Sequence, residues 1–554
     1  MGEFGDADAI AAEFQAKGGQ PGLVYGIVRD GSLVHAGGLG ERSLGGPPPD
    51  AGTVFRIASM SKSFTAAAVL LLRDSGALAL DDPAARYVPE LGNWEFTPTI
   101  RQLLTMTGGL AEDDPWGDRQ QGLPLDEFGV FLAGGVSFSR APGISFEYSN
   151  LGYAILGRVV SNASGMAYKD FVRSRLMVPL GMTRSGYDAP EEGLAPGYRR
   201  APGGWAEVPA MPYGAFAPMG GVFTTINDLA RWVASLAGDG LDGNNVDDNS
   251  KKHPLGSASR REMQQPRVPT LWDRPAVFPG DGSVTSYGFG LSIGEDPVIG
   301  RVVGHGGGYP GYGSYMRWHP ASGTGVIAFG NSTYARMQTL TTRLLGAVMR
   351  TRPPIAPWPA TAAARDAVNA LLASWDDGAA DRLFAPNVAQ DTPYPERRAA
   401  LDRIRGRIGE FADDTSYQPE NDTPARCRWR LTGEHGTIQV QIMLTPERQP
   451  RVQSVNLAVP PAADSPLAAA LGSVVAWMNG GDGVCPVADG VTARRLKAAA
   501  AWAGQCRVAA YTGGDGETAT TAELAGEHAA VALSVSVDSA TGQVSTASVT
   551  WQPS

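Results

Sequence analysis

The sequence predicts an α+β protein: a first domain with an antiparallel sheet flanked by helices and carrying a helical insert, followed by two small repeated α+β modules. Three observations predict it. Strand patterns stand at both ends of the first 350 or so residues, with helical stretches between them. A proline-rich segment, Pro353-Pro354-Ile355-Ala356-Pro357-Trp358-Pro359, then reads as a stiff linker. Beyond it, Gly433-Glu434-His435 and the alternating strand Ile438, Val440, Ile442, Leu444 recur 93 residues later as Gly526-Glu527-His528 and Val531, Leu533, Val535, Val537.

Taken in order, Leu23-Val24-Tyr25-Gly26-Ile27-Val28 and Leu33-Val34-His35 flank Arg29-Asp30-Gly31-Ser32, a hairpin signal because Asp-Gly accepts the positive φ angles of a tight turn. Ser63 to Leu72 reads as a helix apolar nearly all round, hence buried. The region to about Leu236 alternates helical stretches with Gly/Pro turns. Residues 237 to 283, rich in Gly, Asp, Asn and Pro, read as a long surface loop, and the acidic run Asp239 to Asp248 lacks calcium-loop spacing. Strand character returns at Tyr287 to Ile293, at Tyr315 to Trp318 and at Gly325 to Phe329. The boundaries expected are 1–352 for the first domain, 360–458 for the first module and 467–554 for its repeat. Each module strand follows an amphipathic stretch, around Val368 to Trp375 and Leu471 to Met478. Without a nucleophile and base of their own, the modules suit structural, dimerising or substrate-gating roles, homo-oligomerisation among them.

Composition excludes several classes. At 554 residues the chain exceeds one ordinary core. A net charge of −10 without a basic run argues against nucleic acid as partner. The longest apolar stretch, Ala66 to Leu72, is far short of a membrane span. Cys427, Cys485 and Cys506 form no CxxC pair, and no HExxH pattern occurs, so neither a metal nor a cofactor is expected. The first residues show no basic or apolar targeting region, which leads to the expectation of a cytoplasmic protein, although a trimmed exported form would read the same way.

The chemistry-bearing pattern is Ser59-Met60-Ser61-Lys62. Of six lysines, only Lys62 stands three residues after a serine. On a helix that spacing puts both side chains on one face, where an amine can take the hydroxyl proton. Ser59 also sits where a loop enters a buried helix, so free backbone N–H groups there can hold charge developing on a substrate carbonyl. A capping serine with a solvated lysine fits the same four residues. Two further segments carry candidates. Tyr148-Ser149-Asn150 places a phenol that can relay a proton and an amide that can orient the base or the substrate on a turn before the helix Leu151 to Val160. Gly304-His305-Gly306-Gly307-Gly308 precedes a strand pair, its glycines allowing close approach to a ligand and His305 offering a hydrogen bond or a charge.

Across roughly residues 20 to 350 the sequence resembles the serine β-lactamases of class C and the related penicillin-binding-protein-type peptidases and esterases. The resemblance rests on Ser59-Met60-Ser61-Lys62 as the SxxK box, Tyr148-Ser149-Asn150 as YxN and His305-Gly306-Gly307 as the third, KTG-like box. Leu103 to Leu110, Pro179-Leu180-Gly181-Met182 and Gly220 to Ala230 support it. It implies a β-lactamase/DD-peptidase-like fold, and an oxyanion hole from the backbone N–H groups of Ser59 and Gly308. His305 stands where β-lactamases carry a lysine that helps hold the substrate carboxylate. That departure shifts weight to relatives with histidine there: D-aminopeptidases, DD-peptidases, some esterases and cyclising thioesterases.

The expectation is a serine hydrolase acting through an acyl-enzyme on a small-molecule or peptide substrate. Ser59, Lys62 and Tyr148 are the catalytic candidates, and Asn150, His305, Gly306, Gly307 and Gly308 the substrate-binding ones. A peptidase or amidase for peptides with D-residues leads. A broad carboxylesterase, a cyclising thioesterase and a catalytically silent penicillin-recognising sensor or scaffold are the alternatives.

Overall fold

Asp30 (φ 49°) and Gly31 (φ 73°) adopt the left-handed conformations that the Asp-Gly pair predicts, and turn β1 (Gly22–Arg29) into β2 (Ser32–Gly40). The computed structural model describes residues 3–237, 253–270, 285–296, 299–349, 355–481, 485–487, 489–527 and 530–551. The chain divides into two compact units, Met1–Arg352 and Pro353–Ser554.

In the first unit the hairpin joins an eight-stranded antiparallel sheet with β3 (Val268–Pro269), β4 (Thr285–Tyr287), β5 (Ser292–Asp296), β6 (Gly300–Tyr309), β7 (Tyr312–His319) and β8 (Thr324–Gly330), in the order β2-β1-β8-β7-β6-β5-β4-β3. The register Leu23↔Gly330 to Val28↔Gly325 ties the two ends of the unit together. Alternation along β1 sends Leu23, Tyr25 and Ile27 into one core and Val24 and Val28 into the other. Both faces are covered, which is why β1 is a continuous apolar run. Helices α1 (Gly5–Ala16) and, late in the unit, Met337–Val348 cover the first face. On the other lie α2 (Ser61–Asp74) and Ile226–Ala237, with Phe64 stacked on Trp232 at 4.3 Å.

Three details differ from the sequence reading, and one adds to it. Tyr287 to Ile293 is not one strand but the turn of the β4–β5 hairpin, where Gly290 (φ 67°) comes so close to α2 that a Cβ would lie 2.6 Å from the Lys62 carbonyl oxygen. Gly304 to Gly308 precedes the strand pair β7–β8, as expected, and is itself strand, lying inside β6. The hairpin Gly197–Ala201 with Gly204–Val208 interrupts the helical insert. The stretch read as a long loop holds the helix Ser257–Met263 and β3, anchored by buried Leu255 and Met263 in an otherwise polar stretch. Of the rest, 238–252, with the Asp239 to Asp248 run, and 271–283 lie outside the described residues.

In the second unit, Pro359 opens the helix Pro359–Ala373 as its first residue. That helix and Tyr394–Ile408 share a core with strands Arg426–Gly433, Gly436–Leu444 and Val452–Ala458. Helices Pro466–Met478 and Gly490–Ala503 share a separate core with strands Ala519–Ala525, Ala530–Val537 and Val544–Trp551. The two central strands are those that the 93-residue repeat marks. His435 is exposed in a turn, and His528 lies outside the described residues. All three cysteines are free thiols. Among the described residues no helix is long and apolar enough to cross a membrane.

Candidate active site

The two-residue strand Phe55–Arg56, paired with Phe223–Thr224, leads into a 3-10 turn, Ala58–Met60, from which α2 starts. Ala58 has φ 47°, a conformation costing a non-glycine residue about 1–2 kcal/mol. That strain sits immediately before Ser59, which is 8% exposed, while Lys62, one helical turn on, is 0% exposed. A solvated lysine is therefore excluded. Lys62 Nζ lies 2.9 Å from Ser59 Oγ, 2.7 Å from Asn150 Oδ1 and 3.0 Å from the Met219 carbonyl oxygen. A neutral amine has two N–H groups and one lone pair. The Asn150 and Met219 oxygens take both donors, which leaves the lone pair for the Ser59 hydroxyl. Burial pulls the Lys62 ammonium down from 10.5 to about 8, against the opposing charges of Asp114, Asp118 and Asp113.

Asn150 is set by the start of its helix, α3 (Asn150–Ser164). Ser149 caps it through the Gly152 N–H, and Asp113 accepts the Asn150 and Leu151 N–H groups at 2.6 and 2.8 Å. The Asn150 side chain bridges the base to a carboxylate, its Oδ1 on Lys62 and its Nδ2 donating to Asp114 Oδ1 at 2.8 Å. Tyr148 sits with its ring centroid 4.8 Å from Lys62 Nζ and its phenol beside the Ser59 side chain. Desolvation and the Asp114 charge push that phenol well above its ordinary value, so it is neutral and serves as a proton donor rather than a resting base.

The third segment forms the opposite wall. β5 pairs with β6 only as far as Gly304, so among the described residues that edge of β6 is unpaired from His305 onward. Its glycines make room for neighbours: a Cβ on Gly307 would lie 2.2 Å from the Ile57 oxygen, and one on Gly308 2.6 Å from the Tyr334 ring. The first close approach holds the strand against the turn that carries Ser59. His305 is buried, its Nδ1 2.6 Å from the Gly306 oxygen and its Nε2 3.0 Å from the Tyr287 hydroxyl. The carbonyl can only accept, so Nδ1 carries the proton and Nε2 accepts from Tyr287. Burial, with the Lys62 charge, brings the ring down to about 4. His305 therefore offers no charge at neutral pH, which corrects one of the two roles suggested for it.

These elements enclose a cleft of about 490 Å³ lined by Ser59, Asp114, Tyr148, His305 to Gly308 and Tyr334, among others. All eight residues singled out in the sequence meet here, Lys62 and Asn150 from just behind the cleft wall. The sequence reading missed Asp113, Asp114, Asp118, Tyr287 and Tyr334. Tyr334, at φ 53°, gives its hydroxyl to buried Asp118 at 2.7 Å, and desolvation raises that carboxyl to about 6. The one local signal for these acids is the Glu112-Asp113-Asp114 run after Gly108-Gly109. Among the described residues no cluster of His, Cys, Asp and Glu could hold a metal ion.

A β-lactamase family model matches residues 7–348. Penicillin-binding protein 4 of Amycolatopsis lactamdurans is 30% identical over 336 residues, which cover 58% of this chain and 82% of that protein. Penicillin-binding protein 4* of Bacillus subtilis (strain 168) is 28% identical over 278 residues, 49% of this chain and 58% of that protein, so the chain spans little more than half of that relative's length. Among solved structures, the octameric penicillin-binding protein homologue from Pyrococcus abyssi has a TM-score of 0.54 at 19% identity over 96% of both chains, a likeness of fold.

Proposed function

The chain belongs to the β-lactamase family, and from that premise we propose that it is a serine hydrolase that forms an acyl-enzyme on Ser59, acting on amide or ester bonds and above all on peptides with D-residues. The observation that carries the reading is the 2.9 Å contact between Ser59 Oγ and a fully buried Lys62 whose two other acceptors leave the lone pair free.

The steps follow from the positions. Lys62 takes the hydroxyl proton as Ser59 Oγ attacks the substrate carbonyl. The N–H groups of Ser59 and Gly308 hold the oxyanion. Tyr148, a neutral phenol beside both Ser59 and Lys62, passes the proton to the leaving group and is refilled from Lys62. Loss of the amine or alcohol leaves the acyl-enzyme. Water or an amine, deprotonated by the same base, then releases the acyl group and returns the proton to Ser59. Asn150 fixes Lys62 on one side and reaches the cleft acid on the other.

A neutral His305 supplies no partner for the carboxylate that β-lactams carry. This favours D-aminoacyl amides over β-lactams, and it favours the carboxylesterase alternative as the second reading. In the same proposal the second unit holds two modules, at 360–458 and 467–554, that serve self-association. The octameric state of the Pyrococcus homologue supports that role.

Initial rates on a D-alanyl anilide, a short-chain nitrophenyl ester and a chromogenic cephalosporin, for wild type and Ser59→Ala together, test the reading. The anilide and the ester are expected to turn over and the cephalosporin to be the poorest substrate, with about a thousandfold loss or more in the variant. Equal activity in the two proteins would remove Ser59 from the role of nucleophile, and activity in neither would leave the silent sensor or scaffold as the better account.

A further inference from the structure

The cleft carries an acid that the proposed chemistry does not consume. Three aspartates stand on the insert side of the cleft, and two are withdrawn from it: both Asp113 oxygens take the N–H groups at the start of α3, and Asp118 is buried with one oxygen accepting from the Tyr334 hydroxyl. Asp114 is different. It is exposed and lines the cleft, and one oxygen accepts from Asn150 Nδ2, while its other oxygen has no hydrogen-bond or ion-pair partner among the described residues.

Its position relative to the reaction is fixed. The Asn150 amide that holds Asp114 also holds Lys62, and Lys62 touches Ser59, so the free oxygen stands one side chain from the catalytic base. The nearest positive charge, the Lys62 ammonium, interacts with Asp114 through space but makes no hydrogen bond to it. Lys62 is buried with its donors directed at Ser59, Asn150 and Met219, and His305 has both ring nitrogens engaged. The two guanidinium groups that line the cleft come from β7 and from the loop after β8: Arg317, which donates to Thr342, and Arg336. Neither is bonded to Asp114, and its second oxygen is left for a cation on the substrate.

We propose that Asp114 selects substrates with a cationic amine next to the scissile carbonyl, so that the preferred class is aminoacyl amides and esters with an unblocked amine. This rests on Ser59 being the nucleophile. An ammonium–carboxylate hydrogen bond in a cleft that excludes part of the solvent is among the stronger polar contacts. Acetylating the amine removes the charge and leaves Asp114 unpaired.

The test uses two boronic acids that form an adduct with a nucleophilic serine, D-1-aminoethylboronic acid and its N-acetyl derivative. Their inhibition constants are measured on wild type, Asp114→Asn, Asp114→Glu and Ser59→Ala. Asparagine can still accept from Asn150, so the first variant removes the charge alone. Any general damage to the site cancels in the ratio of the two constants. The amine is expected to bind wild type at least about tenfold more tightly, the ratio to fall within about threefold of unity in Asp114→Asn, and Asp114→Glu to keep part of the preference. An unchanged ratio in Asp114→Asn, or no preference in wild type, overturns the inference while Ser59 stands. Binding of neither compound, or binding that survives Ser59→Ala, overturns the nucleophile assignment and the inference with it.

Discussion

Replacing Lys62 with methionine is expected to slow acylation by about three orders of magnitude or more while the protein stays folded. The two side chains are similar in length and volume, so the packing of α2 against its neighbours changes little. What disappears is the one group in contact with Ser59 Oγ that can accept its proton. The energetics separate catalysis from folding. Holding the ammonium in a fully buried site, with its pKa near 8 instead of 10.5, costs the fold about 3 kcal/mol at neutral pH. Methionine removes that cost but leaves the Asn150 and Met219 oxygens without a donor, at about 1–3 kcal/mol each. The two effects nearly cancel, so the melting temperature is expected to stay within several degrees of wild type. Single-turnover rates with a nitrophenyl ester, with thermal melts alongside, check both halves. A loss of less than tenfold would remove Lys62 from the role of base.

The pH dependence of kcat/KM is expected to carry the same signature. A base acts when deprotonated, and with a pKa of about 8 only about a tenth of Lys62 is free amine at pH 7. The rate should therefore rise about tenfold per pH unit below the bend, turn over near pH 8 and level off above about 9. Three groups at the cleft give three distinct bends: His305 near 4, Asp118 near 6 and Lys62 near 8. The position of the bend thus names the base. Tyr148, held well above 10, adds no falling limb below that value. Stability should move in step. Between about 8 and 10.5 the unfolded lysine keeps its proton and the folded one does not, so Lys62 makes the fold more stable as pH rises through that window. Below about 8 its cost is present in full. Lys62→Met should lose both the bend near 8 and this slope.

Much of this arrangement was legible in the residues, for local reasons. A serine and a lysine three apart share a helix face, and an unbroken apolar run after them means burial. The Asp-Gly turn and the alternating strands of the repeat are likewise written in neighbouring positions. What escaped depends on contacts distant in sequence. Asp113 and Asp114 matter because they meet Asn150, more than thirty residues away, and Tyr334 because it reaches back to Asp118. No periodicity marks either. The sequence left a charge on His305 open because its neutrality comes from burial and from the nearby Lys62 charge rather than from the glycines beside it. Those glycines were read as room for a ligand, and at Gly307 and Gly308 the room is filled by the Ile57 carbonyl and the Tyr334 ring. The Tyr287 to Ile293 segment looked like one strand because Gly288 and Gly290 interrupt its apolar pattern without an obvious turn residue between them, although Gly290 is where the chain reverses.

The central claim, that Ser59 is acylated during turnover, is tested most directly by the intact mass of the protein after an acid quench of its reaction with a nitrophenyl ester, followed by peptide mapping. The account predicts a single acyl group per chain, located on the peptide that contains Ser59, formed in wild type and absent in Ser59→Ala. An acyl group on another residue, or the same mass increase in the alanine variant, would contradict it.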